Sequence, residues 1–245
     1  MRLQPGAKWQ ARVLLPGSWR GASSVLLSNG DHHLIVDTGM PHEAHLLEKA
    51  ILDAGLHPED IRSIINTHFH VDHVLNNSLF PSSAIYASQQ SHDWCMSLYS
   101  DLADDQNWER LVLKYYPETH DYDRARTHME KLRKIALRWW DAMRLGSPSQ
   151  FRWIEKQSLP EGLEALITCG HVPGHLSVIV CNSEQPAFVA GDALLSKDRD
   201  ADILTMIPVN RKQFEADREN ILSRAGRILP GHGCDFALSA PPTFP

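Results

Sequence analysis

The feature that most restricts this chain is the run His68-Phe69-His70-Val71-Asp72-His73, which follows directly on the apolar stretch Ile61 to Asn66. Three imidazoles and a carboxylate so close together offer the nitrogen and oxygen ligands that zinc and similar divalent ions prefer. In a strictly extended segment His68 and His70 would point the same way, whereas a loop leaving a buried strand can fold all four polar side chains around metal. The fold therefore has to bring a strand end to a place where other polar groups meet it.

Three further groups follow strand-like runs, each after a glycine: Gly174-His175, Gly191-Asp192 and Gly231-His232. Glycine lets a backbone turn sharply and approach closely, as strand-end loops must if they share one site. Of the 14 histidines, His171 lies just before His175 and reads as a capping or loop residue. His32, His33, His42, His45, His57, His120 and His128 read as surface residues. His92, in Ser91-His92-Asp93-Trp94-Cys95, fits either a substrate-pocket lining or a helix start.

Short β-type runs are expected at 23–28, 32–36, 61–66 and 84–87, and again at 163–169, 177–181, 187–190 and 227–229. A turn is expected at Asn29-Gly30-Asp31. Helices are expected after Pro41 up to Gly55, and from Arg211 to Ala225. Between the two groups of strands, residues of about 96–147 turn helical, with Met129, Leu132, Ala136, Trp139 and Met143 along one face. Strands on both sides of a helical insertion suit a β-sandwich layered with helices, in a single domain over 1–245.

At 245 residues and 42% hydrophobic content the chain can bury a large core. A net charge of -6 disfavours nucleic acid and anionic membrane partners. No apolar run is long enough to span a bilayer, and the start, Met1-Arg2-Leu3-Gln4-Pro5-Gly6-Ala7-Lys8, lacks the apolar segment of a secretory leader. Cys95, Cys169, Cys181 and Cys234 form no C-x-x-C pair. A cytoplasmic setting with reduced thiols is the expectation.

The order of motifs, from Asp37-Thr38-Gly39 to Pro230-Gly231-His232-Gly233, resembles the metallo-β-lactamase superfamily. The resemblance implies an α/β fold, the four-layer αββα sandwich, with the site at one edge. It also implies ligand roles for His68, His70 and His175 at a first metal, the last chosen because the family places that ligand after the Pro-Gly step. Asp72, His73 and His232 would hold a second metal, and Asp192 would bridge the two. Asp37 would orient histidines from behind. The cofactors implied are two divalent ions, Zn2+ first, with Fe2+ or Mn2+ as alternatives. Such a pair supports a bridging hydroxide as nucleophile, with Asp72 as general acid or base.

Among substrates, the resemblance points to a small molecule, a lactone or other carboxylic ester such as an N-acyl homoserine lactone. The lactonases of that kind share all seven metal positions but place a tyrosine shortly after the bridging aspartate, where this chain has Ala193-Leu194-Leu195-Ser196. Shorter echoes, in Leu79-Phe80-Pro81, Ser91-His92-Asp93 and the C-terminal Pro-Gly-His-Gly, are similar to a second subgroup of the same superfamily. Thioesterase, phosphodiesterase or nuclease chemistry on the same site, and an iron-dependent persulfide dioxygenase, stay open. In the helical insertion, Trp108, Tyr115, Tyr116, Trp139 and Trp140 could roof a substrate pocket, or form a core or homodimer seam.

Overall fold

The computed structural model describes residues 8–18, 21–104, 107–181, 186–198 and 207–238. The N-terminal stretch read for a leader therefore falls, up to residue 7, outside the described residues. One sheet runs in chain order: β1 (Gln10–Leu15), β2 (Ser24–Asn29), β3 (His32–Val36), β4 (Ile61–Ile65), β5 (Ala84–Ala87) and β6 (Phe151–Trp153). Its first three strands are antiparallel and the rest join in parallel. The second sheet contains β7 (Leu163–Ile167), β8 (Leu176–Val180), β9 (Ala187–Gly191), β10 (Arg227–Pro230) and β11 (Phe236–Ala237), in the order β11-β10-β9-β8-β7. Only β9 and β10 are parallel there.

Side-chain alternation explains the layers. In β2, Val25 and Leu27 point inward with Leu34, Val36 and Ile65, and meet Leu176, Val178, Val180, Val189 and Leu229 of the other sheet. Leu26, Ile35, Ile61, Ile64 and Ile85 point outward, where Leu47 and Ile51 of helix α1 (Ala44–Asp53) cover them. On the far side Ile179, Phe188, Ala190 and Ile228 pack against Ile221 and Ala225 at the end of the 211–224 helix. Strands buried on both faces read as near-continuous apolar runs, as in β8, where every residue is buried. The result is two sheets face to face with helices outside each, the αββα sandwich.

After β4 the chain enters the short helix α2 (Val71–Val74). Between β5 and β6 lie α3 (Gln89–Asp104), α4 (Trp108–Tyr115) and α5 (Tyr122–Trp139). This helical region starts at Gln89, earlier than the sequence pattern suggests, because Ser88 and Glu155 satisfy the first amides of α3. Its apolar side (Leu98, Tyr99, Leu102, Leu111, Val112, Met129) packs on Phe69, Val71, Val74 and Leu75, so the helices cover the histidine run directly. Met143, expected on that face, is 83% exposed: the α-helix has already ended and a 3-10 turn carries the residue outward. The last long helix, α6 (Arg211–Arg224), packs behind the second sheet. No helix of the described residues is long and apolar enough to cross a membrane.

Candidate metal centre

Parallel pairing brings the C-terminal ends of β3 and β4 together in one sheet, and those of β9 and β10 in the other. The loops leaving those ends carry Asp37, the histidine run, Asp192 and His232, and the β7–β8 connection adds His171. Two groups of potential metal ligands result: His68, His70, His171 and Asp192, and beside them Asp72, His73 and His232.

Asp192 faces both groups. Its Oδ2 lies 3.5 Å from His171 Nε2 and 3.9 Å from His68 Nε2. Its Oδ1 lies 3.3 Å from both His73 Nε2 and His232 Nε2. Gly231 makes room for this: a Cβ there would collide with Asp192 Oδ1. His171 Nε2 and His70 Nδ1 stand 3.1 Å apart. Two nitrogens bound tetrahedrally to one zinc at about 2.0–2.1 Å would be about 3.3 Å apart, so this spacing suits one edge of a coordination sphere.

Hydrogen bonds on the far side of three of the rings, those of His73, His68 and His232, aim the inner nitrogen. Asp37 Oδ2 accepts from His73 Nδ1 at 2.7 Å, which leaves His73 Nε2 as the inward lone pair. The same oxygen accepts from Thr67 Oγ1 at 2.7 Å, and that hydroxyl accepts in turn from His68 Nδ1 at 3.1 Å. One carboxylate thus orients two imidazoles. Asp37 itself adopts φ 56° although it is not glycine. It is held there by its own N–H on Ile65 O and by Thr67 N–H on its Oδ1, and backbone strain of this kind is typical of functional sites. His232 Nδ1 donates to Ser18 O at 2.6 Å.

The inner atoms have no hydrogen-bond partner among the described protein groups: His68 Nε2, His73 Nε2 and Asp192 Oδ1 are buried and unpaired. Buried polar atoms without partners are costly. A convergent set of them, made of imidazole and carboxylate, fits divalent metal. Burial holds His68 and His171 well below the usual imidazole range and His70 down to about 4, so all three are neutral at pH 7 and able to ligate. Burial also opposes a proton on His73 and His232. There Asp192 and neighbouring carboxylates win, and His232 is raised to about 9. Asp192 is held well below the usual carboxylate range despite its burial, chiefly by His232 and His73.

His175, expected to hold the first metal, is not in either group. Its Nε2 accepts the N–H of Asp192 at 3.0 Å, and its Nδ1 donates to Thr168 Oγ1 at 2.8 Å. Thr168 continues through Ser177 to the carbonyl of Ala190. Both nitrogens are spent, and burial lowers the ring to about 3. His171, read as a capping or loop residue, joins His68, His70 and Asp192 in the first group.

The aromatic residues of the helices divide differently from the expected roof. Tyr115 and Tyr116 are fully buried core residues, with Tyr115 Oη donating to Asp101 at 2.8 Å. Trp108 and Trp140 are half-buried against the same cluster, and Trp140 packs on Tyr99 at 4.2 Å between rings. Trp139 lies beside His42, 5.6 Å between centroids. His92 packs on Phe69 and Trp153 in the first turn of α3. A cavity of about 570 Å³ lies between residues 118–124 and 207–215, with Ile207, Pro208, Val209 and Phe214 as its apolar lining, and none of the five expected aromatics borders it. Trp94, which the spacing did not single out, is an aromatic residue near the ligands, 6.4 Å from the ring of His70. His128, read as a surface residue, is half-buried against Tyr116, and burial lowers it to about 3.

The sequence profile of the family described as Metallo-beta-lactamase superfamily matches residues 17–232. The chain belongs to the metallo-β-lactamase superfamily. It is similar to metallo-beta-lactamase domain-containing protein 1 of Xenopus laevis, 27% identical over 96% of this chain and 84% of that protein. Among solved structures, AidC, a dizinc quorum-quenching lactonase, superposes with a TM-score of 0.57 at 18% identity, covering 86% of this chain and 72% of that one. A metallo-beta-lactamase family protein from Thermus thermophilus gives 0.54 at 19% identity, with 96% and 76% covered. At such identities the structural likeness speaks for the superfamily's fold alone. Together with the two ligand groups, membership gives the chain the scaffold of a dinuclear, metal-dependent hydrolase.

Proposed function

We propose that this chain hydrolyses a lactone or other carboxylic ester, with His68, His70 and His171 holding one zinc ion, Asp72, His73 and His232 a second, and Asp192 both. The observation that carries the two-metal reading is the Asp192 carboxylate, whose two oxygens each face a different ligand group. When bound, such ions supply a nucleophilic water acidic enough to ionise near neutral pH and a positive charge for the substrate oxygen.

The protein side of the reaction follows from exposure. His68 and His73 are sealed, whereas the side chains of Asp72 and His232 are 22% and 15% exposed, so substrate approaches on their side. Asp72 Oδ2 lies 3.5 Å from His232 Nε2 and 4.0 Å from His73 Nε2. Its other oxygen can hold the attacking water or pass a proton to the leaving oxygen. The turn after Asp192 presents buried Ala193, Leu194 and Leu195, so it offers no side-chain hydroxyl to the substrate. AidC, a dizinc quorum-quenching lactonase, shares the fold, and that supports an ester substrate. Convergence of Asp72, His73 and His232 favours this reading over a persulfide dioxygenase, which would use the first group alone.

The test is a hydrolysis panel of lactones, thioesters, β-lactams and phosphodiesters with zinc-loaded protein, using Asp192→Ala as blank. Preferential opening of lactones or simple esters, lost in the blank, is expected. Turnover of phosphodiesters alone would overturn the substrate assignment, and oxygen consumption with a single bound iron would overturn hydrolysis.

A further inference from the structure

His68, His73 and His232 are each aimed by a hydrogen bond from the ring nitrogen that faces away from Asp192. His171 is not: its Nδ1 is buried and has no hydrogen-bond partner among the described residues. Its ring is placed by its backbone and by packing on His68, His70 and His175. That backbone is stitched to the stretch that opens α6. Val209 N–H donates to His171 O at 2.9 Å, and Asn210 N–H donates to Gly170 O at 3.0 Å. The return bond comes from a side chain, since Gly170 N–H donates to Asp217 Oδ2 at 2.9 Å. Asp217 is a buried carboxylate on α6, and its other oxygen accepts from Gln213 Nε2 at 2.8 Å. The fit is close: a Cβ on Gly170 would collide with the backbone of Phe214.

We propose that Asp217 is a positioning residue for the first metal, which it reaches by fixing the Gly170 peptide and thereby setting His171 Nε2 against His70 Nδ1 and Asp192 Oδ2. This rests on the reading of His171 as a ligand. Asp217 touches no reacting atom. Its effect is confined to one of the two ligand groups, because His73 and His232 are anchored to Asp37 and Ser18 instead.

Zinc affinity measured by chelator competition, resolved into two binding steps, tests the idea without relying on turnover. Asp217→Ala should weaken the first-group zinc by about 10- to 100-fold, the usual cost of losing an outer partner of a ligand, with the second-group zinc changed less than about threefold. Asp217→Asn keeps a carbonyl oxygen for Gly170 N–H and should recover most of that loss. If the alanine variant does not fold, the asparagine variant still decides: a small loss confined to the first-group zinc supports the proposal, and no loss, or an equal loss at both groups, contradicts it. His171→Ala separates the two layers of argument. If it retains both zinc ions, the ligand reading fails and this inference with it. If it loses the first zinc while Asp217→Ala leaves both affinities intact, only the role of Asp217 is overturned.

Discussion

Residues 66–73 and residues 168–175 both deliver imidazole to Asp192, and they hold it by different means. In the first loop the rings of His68 and His73 are aimed through side chains, by the Asp37 carboxylate and the Thr67 hydroxyl. In the second loop the two histidines have separate tasks. His171 meets His70 and Asp192 through a ring whose other nitrogen is unpaired, while His175 ties Asp192 N–H to Thr168. A buried histidine whose two nitrogens are both hydrogen-bonded to groups outside the ligand set has no lone pair left for metal, whereas Nε2 of His171 faces only other members of the set, His70 and Asp192. The difference between ligand and brace therefore lies in hydrogen bonding and not in residue type.

The sharpest blow to both loops is Asp192→Ala, which removes the one carboxylate they share. It should lower hydrolysis by more than about 100-fold, beyond the range for outer partners, and reduce zinc below two equivalents per chain by elemental analysis. Retention of two zinc ions would show that the groups bind independently. Next comes the direct comparison within the second loop. His171→Ala should lose one zinc, whereas His175→Ala should keep both and lose turnover by about 10-fold through a misplaced Asp192. The reverse pattern would exchange the roles of the two residues. In the first loop, Asp37→Asn replaces an oxygen that accepts from His73 and Thr67 with a side chain that can satisfy fewer of those donors. A fall of about 10- to 100-fold in zinc affinity or turnover is expected, and an unchanged affinity would leave Asp37 a turn former. The smallest effect is away from both loops: Tyr115→Phe should cost about 1 kcal/mol in urea unfolding and leave turnover unchanged. A large change in substrate preference would return Tyr115 to the pocket.

The layered fold was largely readable because strands buried on both faces leave apolar runs, as at Ile61–Ile65 and Leu176–Val180. β1, β6 and β11 went unmarked. The three residues of β6 are only half-buried and take their strand form from pairing with β5, a tertiary contact that local pattern does not carry. The histidine run was legible as metal chemistry because four polar ligands sit together in the chain. The choice between His171 and His175 was not: both follow a glycine in one short loop, and the deciding partners, Asp192 N–H and Thr168 Oγ1, reach His175 only once the second sheet has formed. Likewise Tyr115 and Tyr116 stand beside helix residues of every exposure, and only the packing of α3, α4 and α5 makes them core.

Crystals grown with zinc and measured at its absorption edge test the central claim most directly. Two anomalous peaks are expected about 3.5 to 4 Å apart, flanking the Asp192 carboxylate, one of them about 2.0–2.1 Å from His171 Nε2, with His175 still accepting from Asp192 N–H. A single peak, or a zinc bound to His175 with His171 turned away, would contradict it.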